Sequence, residues 1–188
     1  MKISVSADIT IRLLLPSDDS QLFSLLEANR SDLKQWLPWL DLVTNLSQTQ
    51  TFIETAIYQH CHSEASNFAI FYQHELVGLA GFNTFDFQNK FASLGYWLAK
   101  NHRGRGIISQ VVVKLLDYGF SDLALHKIEI KCAQGNTKSE AIAKRLGFVY
   151  EGRFRQCEWL YDHYVDHLVY SILFEEYCTR RTSLQQMV

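Results

Sequence analysis

The 188-residue chain predicts one α/β domain built on a mixed, mostly antiparallel sheet flanked by helices, and three observations carry that prediction. Three consecutive stretches, Asn67 to Tyr72, Leu76 to Phe85 and Phe91 to Leu98, follow the two-residue period of strands and are separated by short turns, which reads as an antiparallel meander. The last of them runs through a basic turn, Asn101-His102-Arg103-Gly104-Arg105-Gly106, straight into an amphipathic helix. A strictly alternating strand, Lys127 to Cys132, follows that helix. A strand, helix and strand in succession favour a right-handed crossover between parallel neighbours, so one parallel pair is expected in an otherwise antiparallel sheet.

The remaining elements follow in chain order. Ile9 to Leu15 is a strand-type run closed by Pro16, and Ser17 with Asp18 and Asp19 supplies a helix cap and an acidic first turn, for a helix running to about Asn29. Arg30 to Leu40 is a short helical piece broken near Pro38. Trp36 and Trp39 within it stand equally as a groove or subunit wall and as packing on the sheet. Ser47 or Thr49 caps a helix carrying Phe52, Ile53, Ala56 and Ile57. From Ile107, the apolar residues Ile108, Val111, Val112, Leu115 and Leu116 share one face, while Gln110, Lys114 and Asp117 share the other. Asn136 caps a helix from Lys138 to Leu146 that stops at Gly147. Strands from Phe148 to Arg155 and from Tyr164 to Phe174 complete a domain spanning residues 1–178, with a polar, frayed tail over 179–188.

Composition narrows the function classes. A chain that is 47% hydrophobic and 13% aromatic with only two prolines is globular. Its formal net charge of −2 gives no general attraction to nucleic acid, so the basic turn calls for a local ligand. No apolar run approaches the roughly 20 residues of a membrane span, and the first residues lack a signal-peptide core. A cytoplasmic protein is expected. Cys61, Cys132, Cys157 and Cys178 lack the short paired spacings of zinc or redox motifs, in keeping with a reducing compartment.

The basic turn reads as an anion cradle. Gly104 and Gly106 let the backbone approach a ligand closely, and the unpaired N–H groups of the helix start, with the positive end of its dipole, favour a phosphate. Arg103 and Arg105 bracket the glycines and can add charge-assisted hydrogen bonds to a diphosphate. A Walker loop is excluded because no Gly-Lys-Ser/Thr ending is present. A dinucleotide fingerprint needs a third glycine where Ser109 stands, and Glu129, at the spacing of a ribose-binding acid, sits inside a strand. No metal site is expected. His60 and His62 are two apart on a helix and do not share a face. His163 and His167 lie on an alternating strand, where four residues span roughly 13 Å.

Several ordered motifs together carry a resemblance. Gly95-Tyr96-Trp97-Leu98, then His102 to Gln110, then Cys132 with Asn136 and Ser139, then Leu146-Gly147-Phe148 and Glu151-Gly152 resemble the GNAT superfamily of N-acetyltransferases, most closely its RimL-type ribosomal-protein-serine branch. The similarity runs from about Ile9 to Tyr177. It implies a GNAT-type fold whose sheet splays open between the strands ending at Leu98 and Cys132, with acetyl-coenzyme A in the gap. The diphosphate would rest on Arg103, Gly104, Arg105, Gly106, Ile107 and Ile108, and the pantetheine arm along Tyr96, Trp97 and Leu98. Asn136 would approach the arm from the far side, and Cys132 would line the site near the thioester. Ile108 departs from the family loop, which has Gly or Ala at that position.

By the same resemblance Glu158 is the base, acting through water, and Ser139 the acid that meets the departing sulfur. The acceptor is then a primary amine, first of all the N-terminal amine of a ribosomal protein. A reference pKa of about 7.7–8.0 makes such an amine far easier to deprotonate near neutrality than lysine at about 10.4. A polyamine, amino acid or drug is the alternative acceptor, and a non-catalytic acyl-coenzyme A sensor the alternative class. Both Glu158 and Ser139 are present, which favours the enzyme. The family also suggests a homodimer.

Overall fold

In a computed structural model that describes residues 1–186, one eight-stranded sheet separates two helical layers. The strands are β1 (Lys2–Ser4), β2 (Ile9–Leu13), β3 (Ser66–Tyr72), β4 (Glu75–Asp86), β5 (Phe91–Leu98), β6 (Lys127–Ala133), β7 (Val149–Leu160) and β8 (His163–Leu173), in the spatial order β1-β2-β3-β4-β5-β6-β8-β7. Every neighbouring pair is antiparallel except β5 with β6, which pair in parallel from Phe91↔Lys127 to Leu94↔Ile130. The expected meander and its single parallel neighbour are therefore both present.

The helices are α1 (Asp19–Leu33), α2 (Leu46–Cys61), α3 (Ile107–Asp117), α4 (Thr137–Arg145) and α5 (Phe174–Gln186). Two apolar clusters set the layers. Leu22, Leu26 and Leu33 of α1 and Ile53 and Ala56 of α2 pack on Ala69, Leu79 and Trp97 of the sheet. On the other face the apolar side of α3, with Ala143 of α4 and Tyr177 and Leu184 of α5, packs on Phe82, Leu94, Ile128, Ile130, Tyr170 and Ile172.

Several boundaries differ from the sequence reading, each for a tertiary reason. The short β1 was not anticipated; it is held by its register with β2, from Lys2↔Arg12 to Ser4↔Thr10. Asp18 does not cap the first helix: its buried carboxylate takes two hydrogen bonds from Arg12, at 2.7 and 2.6 Å. That helix continues past Asn29 to Leu33, which is buried against the sheet. The second helix is capped by Asn45, whose Oδ1 accepts from the Gln48 N–H at 2.9 Å, rather than by Ser47 or Thr49. The tail expected to fray from Thr179 is helical to Gln186, with Leu184 buried in the larger core and the Arg180 guanidinium donating to the Gly147 carbonyl at 2.6 Å. β7 extends to Leu160 through an irregular stretch between Phe154 and Glu158.

Candidate active site

The site lies where β5 and β6 part. Beyond Leu94↔Ile130 the two strands no longer pair, so Gly95 to Leu98 have β4 as their one neighbouring strand, and Lys131 to Ala133 have β8. Backbone donors and acceptors along two facing strand edges are thus left for something else. A cavity of about 610 Å³ opens over this gap, walled by Tyr96 to Leu98, by the cradle, by the start of α4 and by the chain around Trp36. The indole N–H of Trp97, in the same wall, is buried without a hydrogen-bond partner among the described residues.

The cradle forms as its residue types require. Gly104 and Gly106 both have positive φ, +79° and +73°, and Gly106 takes the cap position of α3 in the left-handed region. A Cβ on Gly104 would meet nothing within 4 Å, so the backbone there faces open space. The first intrahelical bond of α3 runs from the Gln110 N–H to the Gly106 carbonyl at 3.1 Å. The N–H groups of Ile107, Ile108 and Ser109 therefore have no intrahelical partner, and all three residues line the cavity.

The two arginines divide. Arg103 lines the cavity, its Nε donating to the Leu98 carbonyl at 3.0 Å and its Nη2 to Asp32 at the end of α1. That hydrogen bond holds the Asp32 carboxyl below its usual range against the opposing effect of burial. Arg105 stands outside the wall, its guanidinium 5.7 Å from the Tyr72 ring centroid. Sequence reasoning missed two cations that line the cavity, Lys138 in the first turn of α4 and, in its last turn, Arg145, which donates to Ser109 Oγ at 3.1 Å. The only sequence signal of Arg145 was a basic residue completing a helix C-terminus, which belongs to many helices.

At the other end Ser139 and Asn136 sit together. Asn136 Oδ1 accepts from the Ser139 N–H at 3.2 Å, which caps α4 and presents the serine hydroxyl to the gap. Ser139 Oγ lies 3.2 Å from the Tyr96 hydroxyl. Burial drives the Tyr96 phenol well above its ordinary range, so it stays a neutral donor. Cys132 is buried behind this pair and outside the cavity wall, and burial, reinforced by Glu140, pushes its thiol up to about 11.

Glu158 also stands outside the wall, on the opposite face of the sheet. Leu168, Tyr170 and Ile172 of β8 pack with α3 and α4, so His167 projects to the other side, where its Nε2 lies 2.9 Å from Glu158 Oε2. The β7–β8 turn meets the end of α1, because the Tyr161 hydroxyl donates to the Lys34 carbonyl at 2.7 Å. The two tryptophans take different roles: Trp36 walls the cavity beside Gly135, whereas Trp39 stacks on Phe52 with ring centroids 5.2 Å apart. Among the described residues no group of three or more His, Cys, Asp or Glu side chains could hold a metal ion, and no helix is long and apolar enough to cross a membrane.

A mixed sheet opened at its one parallel pair, with a glycine-rich helix start beneath the opening, sets a free strand edge beside an anion-binding helix N-terminus. The chain belongs to the GNAT acetyltransferase domain family, which matches residues 8–149. It is 32% identical over 173 residues to the ribosomal-protein-serine acetyltransferase of Escherichia coli, covering 92% of this chain and 97% of that protein. The structure is similar to that of a RimL ribosomal L7/L12 alpha-N-protein acetyltransferase in complex with coenzyme A, with a TM-score of 0.90, 31% identity and coverage of 94% of this chain and 99% of the other. It is also similar to the microcin C7 self-immunity acetyltransferase MccE in complex with acetyl-coenzyme A and AMP, with a TM-score of 0.87, 31% identity and coverage of 91% and 95%. A more distant relative, at 28% identity over 130 residues that cover 68% of this chain and 75% of the other, is the spermidine N(1)-acetyltransferase of Vibrio cholerae.

Proposed function

We propose that this N-acetyltransferase moves the acetyl group of acetyl-coenzyme A to the N-terminal serine amine of a ribosomal protein, by direct attack in a ternary complex. The observation that supports this reading is the gap between β5 and β6 with Ser139 in its wall; Glu158 lies outside the wall, on the opposite face of the sheet. The diphosphate lies on the first-turn N–H groups of α3, with Arg103 and Arg145 as the nearby cations, and the pantetheine arm bonds the free edge at Tyr96 to Leu98. The neutral amine enters from the side of Trp36 and Glu158 and attacks the carbonyl carbon; its surplus proton passes to Glu158, directly or through a water. As the carbon–sulfur bond breaks, the Ser139 hydroxyl, oriented by Tyr96, donates to the sulfur. The similarity to ribosomal-protein-serine acetyltransferases over nearly the whole chain favours a protein N-terminus as acceptor. We place the enzyme in the cytoplasm, where ribosomal proteins are made. A homodimer through the edge strand β7, which exposes Phe154 and Trp159, is part of the same reading.

The test is thiol release from acetyl-coenzyme A in the presence of serine-initiated peptides or spermidine, with Ser139→Ala and Glu158→Gln as controls. Turnover of the peptides, slowed by both substitutions while coenzyme A binding persists, is the expected result. Turnover of spermidine alone would transfer the enzyme to the small-amine branch. Sedimentation showing only monomer at micromolar concentration would remove the dimer.

A further inference from the structure

Four carboxylates on the β7–β8 hairpin, the segment after α1 and β6 differ in their partners, and three of them are held by a permanent cation. Asp166 lies 3.4 Å from the Arg153 guanidinium, Asp41 2.8 Å from the Lys34 ammonium, and Glu129 2.6 Å from the Lys131 ammonium. The fourth is Glu158, whose ion-pairing partner among the described residues is the imidazole of His167, Nε2 to Oε2, at 2.9 Å. Both side chains are partly shielded, with 31% of Glu158 and 19% of His167 exposed. His167 is fixed on both sides by the sheet. It sits opposite Phe154 on β7 and opposite Ala133 on β6, the last residue before the turn that delivers Gly135 and Asn136 to the cavity wall.

The chemistry of the partner matters. A lysine or arginine on a carboxylate suppresses its affinity for a proton through a permanent charge, whereas an imidazole can hold one oxygen through a single N–H and is charged only when protonated. A carboxylate so held keeps its second oxygen free and aimed. We propose that His167 is a positioning residue for Glu158: its Nε2–H holds Oε2 so that Oε1 meets the proton leaving the attacking amine. This rests on the reading of Glu158 as the base. The proton balance is closed. The nitrogen bonds to the carbonyl carbon and its surplus proton goes to Oε1 or to a water bound there. The carbon–sulfur bond breaks, the sulfur takes the Ser139 proton, and solvent restores the serine. His167 keeps its own Nε2 proton throughout. The other charged or titratable groups near the pair are Tyr161 at the hairpin turn with Lys34, Asp41 and Arg30 from the α1 side, and Lys131, whose ammonium lies over the Phe154 ring beside His167; Arg153, opposite Leu168, and Asp166 belong to the other face of the sheet.

The test compares the full-length wild type with His167→Phe, His167→Gln, Glu158→Gln and the double variant His167→Phe/Glu158→Gln, using acetyl-coenzyme A and a serine-initiated peptide. Loss of a hydrogen bond to a charged group predicts a fall of about tenfold in kcat for His167→Phe, with the KM for acetyl-coenzyme A unchanged. His167→Gln, whose amide N–H can reach the same oxygen, restores most of it. In the Glu158→Gln background the added His167→Phe changes kcat by less than about twofold, because the two residues act as one unit.

A wild-type kcat in His167→Phe, or an equal loss in both backgrounds, would overturn the positioning role while leaving the base in place. A wild-type kcat in Glu158→Gln would instead remove the base itself, and this inference with it. Should the wild-type enzyme leave the peptide unreacted, proton NMR of the histidines decides the matter. A slowly exchanging His167 Nε2 proton that Glu158→Ala abolishes supports the pairing, and a spectrum unchanged by that substitution overturns it.

Discussion

Gly104 and Gly106 offer a direct test of whether the cradle binds a diphosphate. Their φ angles of +79° and +73° mean that alanine at either position adopts a left-handed backbone, at a cost of about 1–2 kcal/mol. Alanine also restricts the unfolded chain, which returns about 0.4–1 kcal/mol. The net loss of about 1 kcal/mol lowers Tm by roughly 2–4 °C in a chain of this size. No steric penalty adds to this, because a Cβ on Gly104 has no neighbour within 4 Å and one on Gly106 meets only the Gln110 side-chain nitrogen at 3.8 Å.

The ligand is affected more than the fold. A methyl group in the cradle displaces a phosphate from N–H donors worth about 1.5–3 kcal/mol each toward a charged acceptor, so losing one raises the Kd for acetyl-coenzyme A by roughly ten- to a hundredfold. Titration calorimetry reads this directly, and thermal melts give a second view. At a concentration a hundred times its Kd, ligand stabilises the wild type by about 2.7 kcal/mol, whereas a variant binding a hundredfold more weakly gains only about 0.4 kcal/mol. Wild-type affinity in Gly104→Ala would refute the placement of the diphosphate on this backbone. A fall of more than about 10 °C in the unliganded melt would refute the claim that the space is open.

Other consequences are narrower. Arg145→Met should weaken acetyl-coenzyme A roughly three- to tenfold and reduce the salt dependence of binding, since one cation near the diphosphate is lost; unchanged salt dependence would place that arginine outside the phosphate's reach. With its thiol pushed up to about 11, only about one Cys132 in a thousand is thiolate at pH 8, against about a quarter of ordinary cysteines. Iodoacetamide should therefore label exposed Cys61, Cys157 and Cys178 long before Cys132. The Cys132 rate should climb about tenfold per pH unit, because the thiolate fraction rises with pH until the group titrates; early labelling at neutral pH, followed by peptide mass spectrometry, would contradict this. Leu184→Ala empties a side chain buried in the larger core and should cost about 2–4 kcal/mol, seen as a Tm lower by roughly 5–15 °C. A neutral outcome would mean that α5 adds nothing to the fold.

What the sequence disclosed divides along the range of the forces involved. The cradle, the meander and the Asn136 cap are written in residues a few positions apart, because strand periodicity, glycine conformation and helix capping are local. The tail was misread because its polar residues outnumber the one leucine, Leu184, that anchors it, and burial of a single side chain leaves no periodic trace. Local chemistry gave Ser17, Asp18 and Asp19 as a helix cap, and Arg12, on the neighbouring strand, claimed Asp18 instead. The same limit governs the site. Arg145 meets Ser109 from 36 positions away, and Glu158 meets His167 only because a hairpin folds one strand beside the other. Strand spacing reads that histidine as a surface or rim residue and excludes it as a metal ligand, and only the fold shows that it shares a face with Glu158.

The opening itself arises from a defect in the sheet. Phe82 of β4 pairs with Leu94 and Thr84 with Ser93, so Asn83 is an extra residue on β4. An extra residue sharpens the local twist and bends its strand. The parallel pairing of β5 with β6 ends at Leu94, on the row where that bend falls. The next residue is Gly95, and a Cβ there would lie 2.5 Å from the Asn83 side-chain nitrogen. The exposed asparagine of the bulge thus lies over Gly95, so a side chain there would have to push it aside. Past it, the facing edges of β5 and β6 carry amide groups too far apart to satisfy each other. An extended ligand bearing its own amides can bond such an edge as a short strand would, which is what the pantetheine arm of coenzyme A offers. On the reading proposed above, the bulge, the glycine and the free edge together would bring the thioester to the middle of the sheet, where the two strands part.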